Sequence, residues 1–97
     1  MSAHIESLYM LSRAFHSEDR SNPWNGDMTL WGAGISQGDE IAEIRFVVAR
    51  GDGCIPGERV KAEIEKVIAG CDSPDVLAQL QDRMAGRSIF LMIEPGH

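Results

Sequence analysis

The sequence contains little cysteine, and it lacks the common metal-binding spacings of cysteine and histidine. Its two cysteines, Cys54 and Cys71, are too few for the disulfide framework of a small secreted domain. They flank a predicted helix whose ends lie more than roughly 20 Å apart, at about 1.5 Å per residue, so both thiols are expected to be free. There is no Cys-x-x-Cys, His-x-x-x-His or Asp-rich calcium loop. We therefore expect no metal site and no cofactor.

Long apolar runs and a basic leader are also missing. No stretch approaches the roughly 20 apolar residues that cross a bilayer. The opening "MSAHIESLYM" has no basic segment before an apolar core, as a secretory signal has. These features predict a cytoplasmic setting and no membrane contact. With 97 residues, 43% of them hydrophobic, the chain is expected to form a single α+β domain over residues 1–97.

Positive charge is scarce. The chain has 9 Lys and Arg against 15 Asp and Glu, for a net charge of −6. Nucleic-acid binders need the opposite sign, because phosphate contacts supply most of their affinity, so direct nucleic-acid binding is disfavoured. The acidic excess is concentrated in residues 26–58, which contain the acids Asp27, Asp39, Glu40, Glu43, Asp52 and Glu58 and the bases Arg45 and Arg50.

Residues 3–16 fit two kinds of secondary structure. Ile5, Leu8 and Phe15 follow a helical stripe, whereas the alternation of Ile5 with Tyr9 is a weaker strand pattern. We expect a helix, with a strand as the alternative.

The rest of the chain predicts two strands, two helices and a last strand. Residues 17–27 contain two turn dipeptides and predict a loop. The last strand is apolar on both faces and is therefore expected to be central. The predicted fold is α+β in the order αββααβ, with a small antiparallel or mixed sheet of three or four strands and two to three helices packed on one face. The later elements are strands over 28–35 and 40–50, a helix from 56 or 57 to 69, a helix from an N-cap at Ser73 to Gly86, and a strand over 88–94.

The first of these strands contains a tryptophan and two glycines. Trp31 is expected to lie in the core. Gly32 and Gly34 weaken a strand, and they are expected to let a large neighbour such as Phe46 cover the backbone.

A glycine-rich turn follows the second predicted strand and precedes a helix, as in phosphate-binding loops. Its candidate anion or ligand residues are Gly51, Gly53, Cys54 and Gly57. The third glycine is one residue late for a dinucleotide fingerprint, and Pro56 lacks an N–H donor. Two acidic residues would also lie beside the anion. A structural turn explains the same residues and is preferred.

A catalytic cysteine is a weaker hypothesis. Cys54 precedes a predicted helix N-terminus, where the dipole favours the thiolate. A nucleophile also needs a base, and none of the three histidines has a spacing that promises one. A small cysteine-dependent enzyme is therefore only the second alternative for function.

The leading interpretation is a non-enzymatic protein-interaction module with an acidic surface. Trp24 lies in a polar loop, either as a lid over the core or as an anchor for a partner. Clustered acids imply a basic surface on the partner. One specific form is an inhibitor, of the kind that viruses and mobile elements encode, that offers carboxylates to a nucleic-acid-binding protein in place of phosphates. The predicted partner-binding residues are Trp24, Asp27, Asp39, Glu40 and Glu43.

Two further hypotheses concern assembly and ligands. A sheet of so few strands has open edges, and pairing with a second copy is a common way to close them, so a homodimer is expected. The first alternative function is a small-molecule or nucleotide binder, or sponge, with its pocket at an interface between copies.

Overall fold

The protein has an α+β fold with a four-stranded mixed sheet and two helices. The structure is a computed structural model and describes residues 2–49 and 56–93. The sheet order is β1-β2-β3-β4, in which β1–β2 and β2–β3 pair antiparallel and β3–β4 pair parallel. The elements are β1 Ala3–Phe15, β2 Met28–Gln37, β3 Glu40–Ala49, α1 Gly57–Ala69, α2 Val76–Met84 and β4 Ile89–Met92.

The prediction of a helix over residues 3–16 is wrong, because this segment forms β1. Its register against β2 shifts three times, the first shift falling between Ile5 and Ser7. Each shift inserts one extra residue and interrupts the two-residue period of a strand. Ile5 and Leu8 therefore pack against the same core although they are three residues apart. That spacing imitates one turn of a helix.

One face of the sheet, which we call the covered face, carries the main core. Every second residue of β2, β3 and β4 joins side chains from both helices in a single buried cluster. Trp31 is among them, so its predicted core position is confirmed. The cluster comprises Trp31, Ala33 and Ile35 from β2, Ile44, Phe46 and Val48 from β3, Ile89, Leu91 and Ile93 in and after β4, and Val60, Ile64, Val76, Leu77 and Leu80 from the helices.

The opposite face, which we call the open face, carries a second and smaller buried cluster. Met28, Val47 and Ala49 form it at the end of the sheet where β2 begins. Trp24 is half-buried against this cluster. The loop between β1 and β2 thus covers one end of the open face.

The last strand lies at the edge of the sheet, so its predicted central position is wrong. Its apolar residues do alternate, with Ile89 and Leu91 on the covered face. Phe90 and Met92 point to the open face and are 46% and 55% exposed. An apolar pattern on both faces therefore does not reflect burial on both faces in this chain.

The second helix begins later than predicted. Asp75, not Ser73, is its N-cap, and the Asp75 side chain accepts a hydrogen bond from the backbone N–H of Ala78. The Ser73 hydroxyl instead accepts from the N–H of Asp75 in the preceding turn. Within the described ranges, no helix is both long and apolar enough to cross a membrane.

Candidate functional site

The structure distributes the five predicted partner-binding residues over three places. Asp39 and Glu40 lie together in the tight turn between β2 and β3 and at the start of β3. Asp27 and Trp24 precede β2 and lie at the opposite end of that strand. Ten strand residues span roughly 30 Å, which separates the two groups. Glu43 lies between them on the open face, opposite Gly34.

The turn between β2 and β3 is held against the start of α2 by one side chain. The Gln37 amide donates from Nε2 to the carbonyl of Pro74 at 2.9 Å. Its Oε1 accepts from the backbone N–H of Val76 at 3.0 Å. Through these bonds, a side chain of β2 supplies hydrogen-bond partners for backbone groups at the start of α2 that have none within the helix. They also fix the segment between the two helices beside the turn.

That segment adds two carboxylates which the sequence analysis did not select. Asp72 Oδ1 accepts from the Gln79 amide at 3.3 Å, and Asp75 Oδ1 caps α2 through the N–H of Ala78 at 3.1 Å. Both side chains therefore have defined positions at this end of the sheet. We call Asp39, Glu40, Asp72 and Asp75 together the acidic end.

No lysine or arginine in the described residues neutralises the acidic end. The ion pairs among the described residues are His4–Glu6, Arg45–Glu43 and Lys66–Glu63, and none of them involves the four carboxylates of the acidic end. Asp39 and Glu40 are exposed. The acidic end therefore presents carboxylates that no ion pair engages within the described residues.

Glu43, by contrast, is engaged within the molecule. Its carboxylate accepts from the Tyr9 hydroxyl at 2.7 Å and from Arg45 Nε at 3.3 Å. The Tyr9 hydrogen bond, followed by the Arg45 hydrogen bond, holds the pKa of Glu43 below its usual value, while the bond to Glu43 raises the pKa of Tyr9. Glu43 is thus poorly suited to a role as a free docking charge.

Tyr9 reaches Glu43 by lying across Gly32. A Cβ atom at Gly32 would lie 2.6 Å from the Tyr9 ring, so only glycine leaves this path open. The expectation that a large side chain covers the glycines of β2 is confirmed at Gly32, whereas the side chain nearest to Gly34 is the small Ser7. The predicted neighbour Phe46 is wrong, because Phe46 is on the covered face.

A second polar cluster, also missed in the sequence, joins β1 to β2. The Ser36 hydroxyl donates to Glu6 Oε1 at 2.8 Å and lies 3.0 Å from His4 Nε2, which also contacts Glu6 Oε1. These contacts, that of Ser36 first, lower the pKa of Glu6. A nucleophilic triad places its serine and its carboxylate at different ring nitrogens. Here both meet Nε2, and the hydroxyl donates to the carboxylate, so the cluster joins two strands and does not activate the serine.

An open groove of about 370 Å³ lies on the open face near Trp24. Its floor is apolar and includes Leu30, Val47 and Phe90. The loop before β2 forms one wall, and residues 86–88 form the other. Four charged residues line the groove, namely Glu18 and Asp19 in the loop, Arg87 in the second wall and Arg45 in β3.

The candidate ligand loop falls mostly outside the described residues. Gly51, Gly53 and Cys54 are among the residues that the structure does not describe. Gly57 begins α1, where a Cβ atom would only touch the Trp31 ring at 3.7 Å. Cys71 is a free, partly buried thiol. In residues 2–49 and 56–93, no group of three or more potential ligands could hold a metal ion.

No family model, curated protein or solved structure matches this chain. Its function must therefore be argued from the chemistry of its own surface.

Proposed function

We propose that this chain is a non-enzymatic protein-interaction module whose acidic end binds a basic surface on a protein partner. The observation that carries this proposal is that Gln37 joins the turn of Asp39 and Glu40 to the segment of Asp72 and Asp75, and that none of these four carboxylates has an ion-pair partner in the described residues. Such a surface attracts a complementary positive one and repels acidic competitors.

The rigidity of the acidic end supports the proposal. Gln37 ties the turn to α2, and Asp72 and Asp75 are each held by a hydrogen bond. Charges that are already fixed lose little conformational freedom when a partner binds, and this saving improves affinity. The acidic end is therefore preorganised for docking.

The partner chemistry follows from the exposure of all four carboxylates to solvent. Lysine and arginine clusters that contact phosphates also bind carboxylates. Arginine often binds both groups in the same bidentate geometry. We propose that the partner is a nucleic-acid-binding protein, in the cytoplasm, and that the acidic end occupies its phosphate-contacting surface. The chain would then act as an inhibitor without touching nucleic acid itself.

The test compares two double variants that change net charge equally. Asp39→Lys with Glu40→Lys reverses half of the acidic end. Glu58→Lys with Asp82→Lys makes the same change at exposed positions elsewhere. The wild type and both variants are used as bait in an extract of the native host, and captured proteins are quantified by mass spectrometry at 50 and 200 mM salt.

We expect the wild type and the Glu58/Asp82 variant to capture the same basic protein, with less retained at higher salt because screening weakens charged contacts. The Asp39/Glu40 variant should retain about tenfold less or lower. Competition by the partner's own nucleic acid then tests inhibition. Equal capture by all three baits would contradict the proposal, and equal loss with both variants would contradict it too, because capture would then follow net charge and not the acidic end.

A further inference from the structure

Most of the exposed large apolar side chains are on one face of the sheet. Six such side chains are exposed in the described residues, and four of them point to the open face. Neither α1 nor α2 covers that face, and the loop around Trp24 covers only one end of it. The four are Tyr9, Ile41, Phe90 and Met92.

The sheet edges are poorly suited to binding a second copy. β1 carries three register shifts, which break the regular row of hydrogen-bonding groups that an added strand needs. β4, at the other edge, has only four residues. A second copy would therefore bind more readily to the open face than to either edge.

The groove on the open face has walls of opposite charge. Glu18 and Asp19 lie on one wall and Arg87 lies on the other, whereas Arg45 belongs to β3 and is engaged by Glu43. Neither the Glu18 side chain nor the Arg87 side chain forms a hydrogen bond or ion pair with described residues. A two-fold axis lying along the groove would exchange the walls, bringing acid against base twice. This self-complementarity is what an interface between identical copies requires.

We propose that two copies of this chain pack open face to open face, with the groove at the centre of the interface. Phe90 of each copy inserts into the apolar floor of the other. Glu18 of each copy faces Arg87 of the other. The apolar pattern on both faces of β4 then has a reason, because its second face is buried in the dimer.

The interface is independent of the acidic end, which lies at the other end of β2. The dimer leaves both acidic ends free and so presents two identical negative surfaces. A bivalent partner would bind such a dimer more tightly than a single copy.

Sedimentation equilibrium of the full chain tests the dimer. The wild type should have about twice the 10.7 kDa mass of one chain at micromolar concentration. Phe90→Glu should raise the dissociation constant at least about 30-fold, as the loss of a central aromatic anchor does. Leu11→Glu is the matched control, because Leu11 is 45% exposed and Phe90 46%, but Leu11 lies in the edge strand β1. It should leave the mass unchanged.

A charge swap tests the proposed contact between Glu18 and Arg87 directly and leaves the apolar floor of the groove unchanged. Glu18→Arg and Arg87→Glu should each weaken the dimer about tenfold by placing like charges together. The double variant restores opposite charges in both pairs and should return to within about threefold of the wild type. Circular dichroism verifies that each variant is folded, and the swap remains decisive if Phe90→Glu is not.

Three results would overturn the proposal. The first is a wild-type mass of one chain at high micromolar concentration. The second is dissociation by Leu11→Glu and not by Phe90→Glu, which would locate the contact at the edge. The third is a double variant as weak as the two single changes combined. Asp39→Lys with Glu40→Lys should leave the dimer mass unchanged, so failure of partner binding and failure of dimerisation are separable.

Discussion

The two faces of the sheet are built from the same strands and differ in what covers them. In β3, Ile44, Phe46 and Val48 lie under the helices and are fully buried, whereas Ile41 and Glu43 point to the open face and are exposed. The covered face buries continuous apolar surface, which supplies most of the free energy of folding. The open face mixes exposed apolar groups with charges. The difference indicates that one face maintains the fold and the other remains available for contacts.

The largest expected effect is on the free energy of unfolding, and it compares one residue of β3 on the covered face with one on the open face. Phe46→Ala removes a fully buried ring from the covered face and should lower the free energy of unfolding by about 3–5 kcal/mol. Ile41→Ala, at a position 65% exposed on the open face, should change it by less than about 0.5 kcal/mol. Urea unfolding followed by circular dichroism, at one protein concentration, measures both.

Similar losses in the free energy of unfolding from Phe46→Ala and Ile41→Ala would contradict the difference between the two faces. They would mean that the proposed dimer interface extends beyond the groove and buries Ile41, and the loss from Ile41→Ala should then decrease on dilution. A loss that is independent of concentration would instead require Ile41 to be packed within the single chain.

An intermediate effect is expected where the open face is covered by the chain itself. Trp24→Ala removes one of the three partly buried side chains that pack on Met28, Val47 and Ala49, and it should cost about 1–3 kcal/mol, less than for a fully buried ring. Arg20→Ala, at an exposed turn of the same loop, is the control and should cost less than about 0.5 kcal/mol. A negligible loss for Trp24→Ala would show that Trp24 is free to act as a partner anchor.

The sequence predicts the fold well where the pattern is local and regular. The alternation in β3 and the apolar spacing of α1 give both elements almost to the residue. β1 is misread because extra residues break its period, and a bulge is decided by pairing with β2, which the sequence does not display. β4 is misplaced because the apolar pattern reports hydrophobicity and not its position in the sheet.

The candidate site depends even more on tertiary structure. Asp39 and Glu40 are evident as a charged turn, but Asp72 and Asp75 join them only through the bonds of Gln37, about 37 residues away in sequence. Glu43 has the same charge as these residues, yet Tyr9 and Arg45 engage it. Charge counts along a chain therefore locate acids without showing which are free.

The smallest expected effect tests that difference between free and engaged carboxylates. Tyr9→Phe keeps the ring over Gly32 and removes only the hydroxyl that donates to Glu43. The pKa of Glu43, now held below its usual 4.5 mainly by Tyr9, should rise towards that value and be measurable by NMR titration of the carboxyl carbon. The pKa of Asp19, lowered by Ser21 in the loop before β2, should not move and is an internal control.

The same variant should alter the pH dependence of stability. A carboxyl whose pKa is lower in the folded state stabilises the fold fully above its unfolded pKa, and this contribution is lost as the pH falls through the folded value. The wild type should therefore lose more stability than Tyr9→Phe between about pH 5 and pH 3. The raised pKa of Tyr9 adds a loss in the wild type as the pH rises above 10.0, which the variant lacks. Parallel pH profiles and an unchanged Glu43 pKa would show that the Tyr9–Glu43 bond does not persist in solution, and Glu43 would then be as free to meet a partner as Asp39 and Glu40.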